Sequence, residues 1–167
     1  MRLTRLTSIL LPFGGNPAPP VDPDTIPDLR EALNGYLRAD ATLAALCGSR
    51  IHPGYRPQDE AVPAITYEIA SDKWGRSLRA RAGYAWARVE IRITASKVSE
   101  AVRIKRRLDA LLDGFRGDWG GLKISACYQD DESDRHDWRD DGTASPYARI
   151  TLEYRIRHSI RTTPAYL

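Results

Sequence analysis

The fold is decided by the stretch from Val62 to Phe115, which reads VPAITYEIASDKWGRSLRARAGYAWARVEIRITASKVSEAVRIKRRLDALLDGF. Apolar and polar residues alternate in 65–69 and again in 89–93. A period of two residues is typical of a strand with one face on a core and the other toward solvent or a partner. After Ala95 the period becomes helical, and an apolar stripe runs through Val98, Ala101, Val102, Ile104, Leu108, Leu111, Leu112 and Phe115. The stretch therefore predicts two strands and a helix, the nucleus of one α+β domain.

Length and composition predict a single domain with a full core. The chain has 167 residues, of which 42% are hydrophobic and 28% charged, with a formal net charge of +3. Its two cysteines, Cys47 and Cys127, are far apart and favour reduced thiols in an intracellular protein over a disulfide or a metal framework. The apolar run that follows Arg2 and Arg5 is short and broken by Pro12, which argues against a secretory signal. No segment reaches the ~18 apolar residues of a membrane span, so we expect no membrane partner.

Three parts are expected along the chain. Residues 1–24 form an extended N-terminal arm, because the sequence GGNPAPP at 14–20 favours neither a helix nor an interior strand. Residues 25–160 form the α+β domain, and residues 161–167 form a short tail. The arm carries an apolar run at 9–13, which fits either a loose terminus or a tether that docks on a neighbouring subunit.

Helix signals and further strands complete the predicted domain. Thr25 is expected to cap the first helix, and Asp40 to cap a second helix over 41–47 that Gly48 ends. Ser96 or Ser99 is expected to cap the long helix, and Gly114 or Gly117 to end it. An extended piece at 51–55, a strand at 122–128 with residues 122, 124, 126 and 128 inward, and a long last strand at 146–160 follow from their patterns. The fold class is α+β, with a mostly antiparallel four- to five-stranded sheet and helices packed on one face.

Two segments of opposite charge stand out. Residues 72–83, between the first two strands, are basic and aromatic, and residues 129–142 contain seven carboxylates. We predict both as loops. Each fits a solvated surface, but the basic loop also fits contact with an acidic protein or a phosphate backbone. The acidic loop lacks the residue order of a calcium-binding EF-hand, so a surface that matches the basic loop of a neighbouring copy is favoured over a metal site.

No pattern in the sequence indicates catalysis. Phosphate-binding loops, nucleophile elbows and zinc-binding motifs are absent from it. Cys127 and His136 are close enough to be considered as a nucleophile pair, yet a lone cysteine in a strand is usually inert, either in packing or at the surface. Pairs of acids in a polar loop lack the burial that tunes a catalytic pKa. We therefore expect no enzyme, no cofactor and no metal.

The order of features resembles the tail-completion or tail-terminator proteins of long-tailed bacteriophages and related gene-transfer particles. The similarity covers roughly Leu29 to His158. It rests on a leading amphipathic helix followed by DATLAALCGSRI at 40–51, PQ at 57–58, VPAITY at 62–67, a hairpin into RVEIRI at 88–93, SEA at 99–101 and a closing strand at 147–158.

This resemblance implies a structural role in a virion. Proteins of this family form a ring, usually of six copies, at the head-proximal end of the tail tube. The ring stops tube polymerisation and provides the surface to which the head attaches. The implied partners are further copies of the chain, the tail tube protein and a head-tail connector or stopper protein. DNA passes through the lumen without sequence-specific binding. The implied location is the junction of tail and neck, with assembly in the host cytoplasm.

A closed ring needs two different surfaces that match across a rotation. The basic patch at 73–92 and the acidic patch at 130–141 fit this requirement, with apolar residues supplying affinity. Trp119, in the turn predicted at 117–121, is one apolar candidate. The other interface candidates are Ile9, Leu10, Leu11 and Phe13 of the arm, Trp74, Arg76, Leu78, Arg79 and Arg81 of the basic loop, and Asp130, Asp131, Asp134, Asp137 and Trp138 of the acidic loop.

Two alternatives stay open on the sequence alone. Another neck component, such as a head-completion or stopper protein, has similar size and chemistry. A basic nucleic-acid-binding module is the other, because Trp74, Tyr84 and Trp86 are interleaved with the positive charges of the hairpin.

Overall fold

The computed structural model describes residues 28–76, 81–135 and 147–159. The arm at 1–24 and the tail at 161–167 lie outside these residues and stay predictions. The elements in chain order are α1 Leu29–Arg38, α2 Ala41–Cys47, β1 Ile51–Pro53, β2 Ala64–Arg76, β3 Arg81–Ala95, α3 Val98–Leu112, β4 Gly117–Trp119, β5 Leu122–Arg135 and β6 Ala148–Ser159.

The described strands form one six-stranded sheet in the order β1-β2-β3-β6-β5-β4. The α+β class is confirmed, but the predicted count of four to five strands is too low. All neighbours are antiparallel except β1 and β2, which run parallel. The strand without a predicted counterpart is β4, in a segment that the sequence indicates as a turn. Gly120 and Gly121 both have positive φ, at 60° and 102°, which suits a two-residue hairpin between β4 and β5.

One face of the sheet carries the core, and the helices cover that face. The predicted inward residues of β3 and β6 are confirmed, because alternate side chains of both strands are buried. β6 lies between β3 and β5, so the last strand occupies the middle of the sheet. The buried residues of these two strands are Ala85, Ala87, Val89, Ile91, Ile93 and Ala95 in β3, and Ala148, Ile150, Leu152, Tyr154, Ile156 and His158 in β6.

Helix boundaries agree with the sequence for α2 and for the end of α3, where Gly114 with a φ of 74° follows the C-cap Asp113, and they differ at the N-termini of α1 and α3. Asp40 caps α2, and its Oδ1 accepts the amide of Leu43 at 2.8 Å. Asp28 takes the role predicted for Thr25, because its carboxylate accepts the amide of Arg30. The N-cap of α3 is Lys97, whose side chain makes no capping hydrogen bond, so the cap predicted at Ser96 or Ser99 is wrong.

The β2–β3 hairpin is longer than the sequence indicates. The segment at 72–83 is not all loop, since β2 continues to Arg76, which pairs with Arg81. The extension is supported because β3 also pairs with β6 as far as Tyr84 and Ser159. Charged residues continue a strand here because only one of its faces needs to be apolar.

β5 departs from the sequence prediction in both length and facing. The acidic segment is strand as far as Arg135, so the loop predicted from 129 is wrong up to that residue. Irregularities in the register between Ile124 and Ala126, and between Gln129 and Asp131, each insert one residue. An inserted residue reverses which side chains face the core. As a result Cys127 is buried and Tyr128 is 39% exposed, opposite to the prediction for both residues.

Candidate interaction surface

The outer face of the sheet is the face opposite the helices, and it is charged across its whole width. A row of four carboxylates crosses it, because cross-strand pairing aligns Glu68, Glu90, Glu153 and Asp131. Like charges opposite each other in a sheet are destabilising. Arginines in the adjacent rows offset this repulsion. Arg92 lies 2.7 Å from Glu68 and 2.5 Å from Glu90, and Arg88 lies 2.5 Å from Glu153.

A groove of about 570 Å³, which we call the basic groove, lies beside this row toward the β2–β3 hairpin. Its aromatic part is Trp86 and Tyr128, whose rings meet edge to face at 6.0 Å. Tyr128 is 39% exposed, so part of this aromatic surface is open to solvent. The lining residues are Ser71, Lys73, Trp86, Ala87, Arg88, Tyr128 and Arg155.

Arg157 extends the positive charge of the basic groove over two aromatic rings. Its guanidinium carbon lies 3.9 Å from the ring centre of Tyr84 and 5.9 Å from that of Trp86. Its Nε is buried and has no hydrogen-bond partner among the described residues. Stacking on aromatic rings holds an arginine in place without neutralising it. Lys73 makes no ion pair within the described residues, so the groove keeps uncompensated positive charge at both positions.

The acidic patch at 130–141 is described only as far as residue 135. Asp130 pairs with Arg155 at 2.8 Å, and Glu132 pairs with Lys105 on α3 at 2.8 Å. Asp131 and Asp134 are exposed and pair with no cation in the described part of the chain. The patch therefore has charge left for a partner.

The basic and acidic ends of the sheet are far apart. Arg76 pairs with Arg81 near the end of β6, whereas Asp134 pairs with Ile150 near its beginning. The sheet therefore does not bring the two predicted charged sets together within one chain. Trp74 lies at the basic end on the face that carries the core, and it is 45% exposed. The other predicted interface residues, Ile9, Leu10, Leu11, Phe13, Leu78, Arg79, Asp137 and Trp138, lie outside the described residues.

Trp119 is wrong as an interface candidate. Its side chain is 1% exposed, and its ring stacks on Tyr36 at 5.1 Å and packs against Phe115 at 5.5 Å. The neighbouring glycines indicate an exposed turn, but the tryptophan itself points to the core from β4. The residues beside it, Asp118, Gly120 and Gly121, are exposed, whereas Trp119 is buried.

No role was predicted for Tyr128 and Arg155 of the basic groove or for Arg157 beside it, whereas Arg88 lies in the predicted basic patch at 73–92. The alternation in β3 and β6 correctly places the arginines on one face. Only the pairing of β6 with β3 and β5 brings them beside Trp86 and Tyr128. A sequence pattern specifies which face a residue occupies, but not which strands are neighbours.

The cysteines are free and buried. Burial raises the pKa of the Cys47 thiol to about 11 and that of the Cys127 thiol to about 12. Both are therefore protonated at neutral pH, which lowers their nucleophilicity. His136, the sequence partner considered for Cys127, lies outside the described residues. Within the described ranges, no group of three or more His, Cys, Asp or Glu could hold a metal ion, and no helix is long and apolar enough to cross a membrane.

This chain matches solved structures, but not family models or curated proteins. No protein-family model matches the sequence, and curated proteins give no significant match. Among solved structures, a chain of "Virion of native gene transfer agent (GTA) particle" is similar to this chain with a TM-score of 0.64 and 19% sequence identity. The alignment covers 79% of this chain and 95% of that chain. The two chains therefore share a fold over nearly the full length of the virion chain.

Proposed function

We propose that this protein is a structural component of a phage-like virion. The observation that carries the proposal is the shared fold, which includes 95% of a chain from a gene transfer agent virion. The order of sequence features independently resembles a virion family. Fold alone does not specify function, so the two lines of support are needed together.

Within such a virion, the proposed position is the head-proximal end of the tail tube. The chain forms a ring of six copies that ends tube polymerisation and provides the surface for head attachment. Its partners are its own copies, the tail tube protein and a head-side connector or stopper protein, and DNA crosses the lumen without sequence-specific contacts. The role is structural, without catalysis or a cofactor. Support comes from the outer face, because a basic groove and an acidic end on opposite ends of one sheet suit a heterologous ring contact.

The proposal is tested by assembling tail tube protein with and without this chain and measuring tube length by electron microscopy. We expect shorter tubes, each bearing a ring of added density at one end. Tubes of unchanged length, with no added density at either end, would contradict the proposal.

Nucleic-acid binding is a second candidate function, and the basic groove is the observation that favours it. Lys73, Tyr84, Trp86 and Arg157 together provide cations and stacking surfaces. If nucleic-acid binding is the main function, we expect the protein to bind single-stranded DNA with an affinity that falls steeply between about 50 and 200 mM salt.

A further inference from the structure

We propose that the basic groove of one copy binds the segment HDWRDD, residues 136–141, of a second copy. Trp138 is the proposed anchor, seated against Trp86 and Tyr128. This inference deepens the proposed ring by naming its contact, and it rests on that proposed function for its biological role.

The chemistry of the groove selects an acidic and aromatic ligand. Trp86 and Tyr128 offer aromatic surface, and Tyr128 is 39% exposed. Lys73 and Arg157 supply the positive charge that no described carboxylate pairs. A tryptophan inserted beside charged rim contacts is the usual composition of an interface hot spot. The volume of about 570 Å³ also exceeds what a single acidic side chain would need.

Residues 136–141 have the matching chemistry. The segment holds three aspartates around one tryptophan, with one arginine and one histidine. It follows Asp131 and Asp134, which have no cation partner in the described residues. Charge complementarity of this kind orients two surfaces and raises the rate of association.

The end of β5, from which the segment continues, lies far from the groove of its own chain. Arg135 pairs with Arg149, whereas Trp86 pairs with Arg157, eight residues further along β6. At ~3.3 Å per residue, this separation is about 26 Å. Trp138 follows Arg135 by three residues, which span at most ~11 Å. β5 also leads away from the groove at Arg135, so the segment would have to reverse its direction within these three residues. We therefore assign the occupant to another copy.

The contact is heterologous, because the groove and the segment lie at opposite ends of the sheet. Each copy then offers one groove and one segment. Such contacts repeat from copy to copy and close into a ring when the rotation between copies permits. A ring of this kind requires no symmetric surface on the chain.

Peptide binding tests the contact without requiring assembly. The receptor is the full chain with Trp138→Ala, so that its own segment leaves the grooves free. The probe is a fluorescein-labelled peptide of residues 133–143, and the measurement is fluorescence anisotropy. We expect saturable binding, weakened at least about tenfold by Lys73→Glu in the receptor or by Trp138→Ala in the peptide. Lys97→Glu is the matched control, since Lys97 is exposed and precedes α3 at the other end of β3. We expect it to leave binding unchanged.

Absent binding, or equal binding to the Lys73→Glu receptor, would overturn the inference. So would a single-stranded oligonucleotide that binds the groove while the peptide does not. Circular dichroism of each variant checks that the fold is intact. Tubes that carry rings although the peptide fails to bind would remove this contact and leave the proposed function standing. Peptide binding without any effect on tube length would support this contact and contradict the proposed function.

Discussion

The two faces of the central sheet contrast sharply within single strands. In β3, Val89 and Ile91 are fully buried, while the residues between and beside them, Arg88, Glu90 and Arg92, form ion pairs on the outer face. The same alternation thus encodes both the core and the candidate interaction surface. The inner face is constrained by packing, whereas the outer face is free to carry a pattern of charge. Alternate residues of each strand are therefore expected to serve different purposes: those on the inner face determine stability, and those on the outer face determine recognition.

Neighbouring substitutions in β6 give the largest expected difference between the faces. Leu152→Ala removes a fully buried side chain and should lower the free energy of unfolding by about 2–5 kcal/mol. Thr151→Ala, one residue away on the outer face, should cost about 1 kcal/mol or less. Urea denaturation followed by circular dichroism measures both. Similar losses for the two variants would show that the outer face also packs as a core.

An ion pair on the helical side of the sheet and one on the outer face are expected to differ in how much they contribute to stability. Arg107 on α3 donates to Asp40, the N-cap of α2, and this contact ties the two helices together. On the outer face, Arg155 donates to Asp130 with roughly half of the arginine exposed. Exposed pairs contribute little to stability because water and salt screen them.

A smaller, pH-dependent effect follows for Asp40. The hydrogen bond from Arg107 holds the Asp40 pKa below its ordinary value of 3.8. A depressed carboxyl pKa gives stability that is complete above the unfolded value and is lost as pH falls through the folded value. Arg107→Met should therefore be less stable than the wild type at pH 5–7, and the difference should shrink below about pH 4. Urea midpoints across this pH range check it, with Arg155→Met as the control. A difference that grows in acid would contradict the role of Asp40.

The sequence alone predicted the structure correctly where a single local signal determines it. Asp40 and Gly48 bound α2 as expected, and the inward residues of β6 follow its strict alternation. The facing of Cys127 and Tyr128 in β5 differs from the prediction because the bulge between Ile124 and Ala126 reverses it, and no residue type there specifies a bulge. Asp28 displaced Thr25 as the cap because both are good caps and tertiary context selects between them.

The candidate site was less accessible to sequence reasoning than the fold. The sequence did predict that the basic patch is an interaction surface and that the acidic patch is the surface that matches it on a neighbouring copy. The basic groove, however, depends on three strands becoming neighbours, which brings Trp86 of β3 beside Tyr128 of β5 across β6. Trp119 shows the reverse error, since an aromatic residue among glycines was expected outside and lies in the core.

The most direct test of the head-to-tail ring is the mass of two variants in solution, alone and mixed. Lys73→Glu blocks the groove and keeps the segment, whereas Trp138→Ala blocks the segment and keeps the groove. Light scattering should show a wild-type ring of six, each variant as an 18.7 kDa monomer, and a one-to-one mixture that stops at a dimer, because only one intact contact remains. Variants that assemble like the wild type, or a mixture that stays monomeric while the wild type forms rings, would contradict the account.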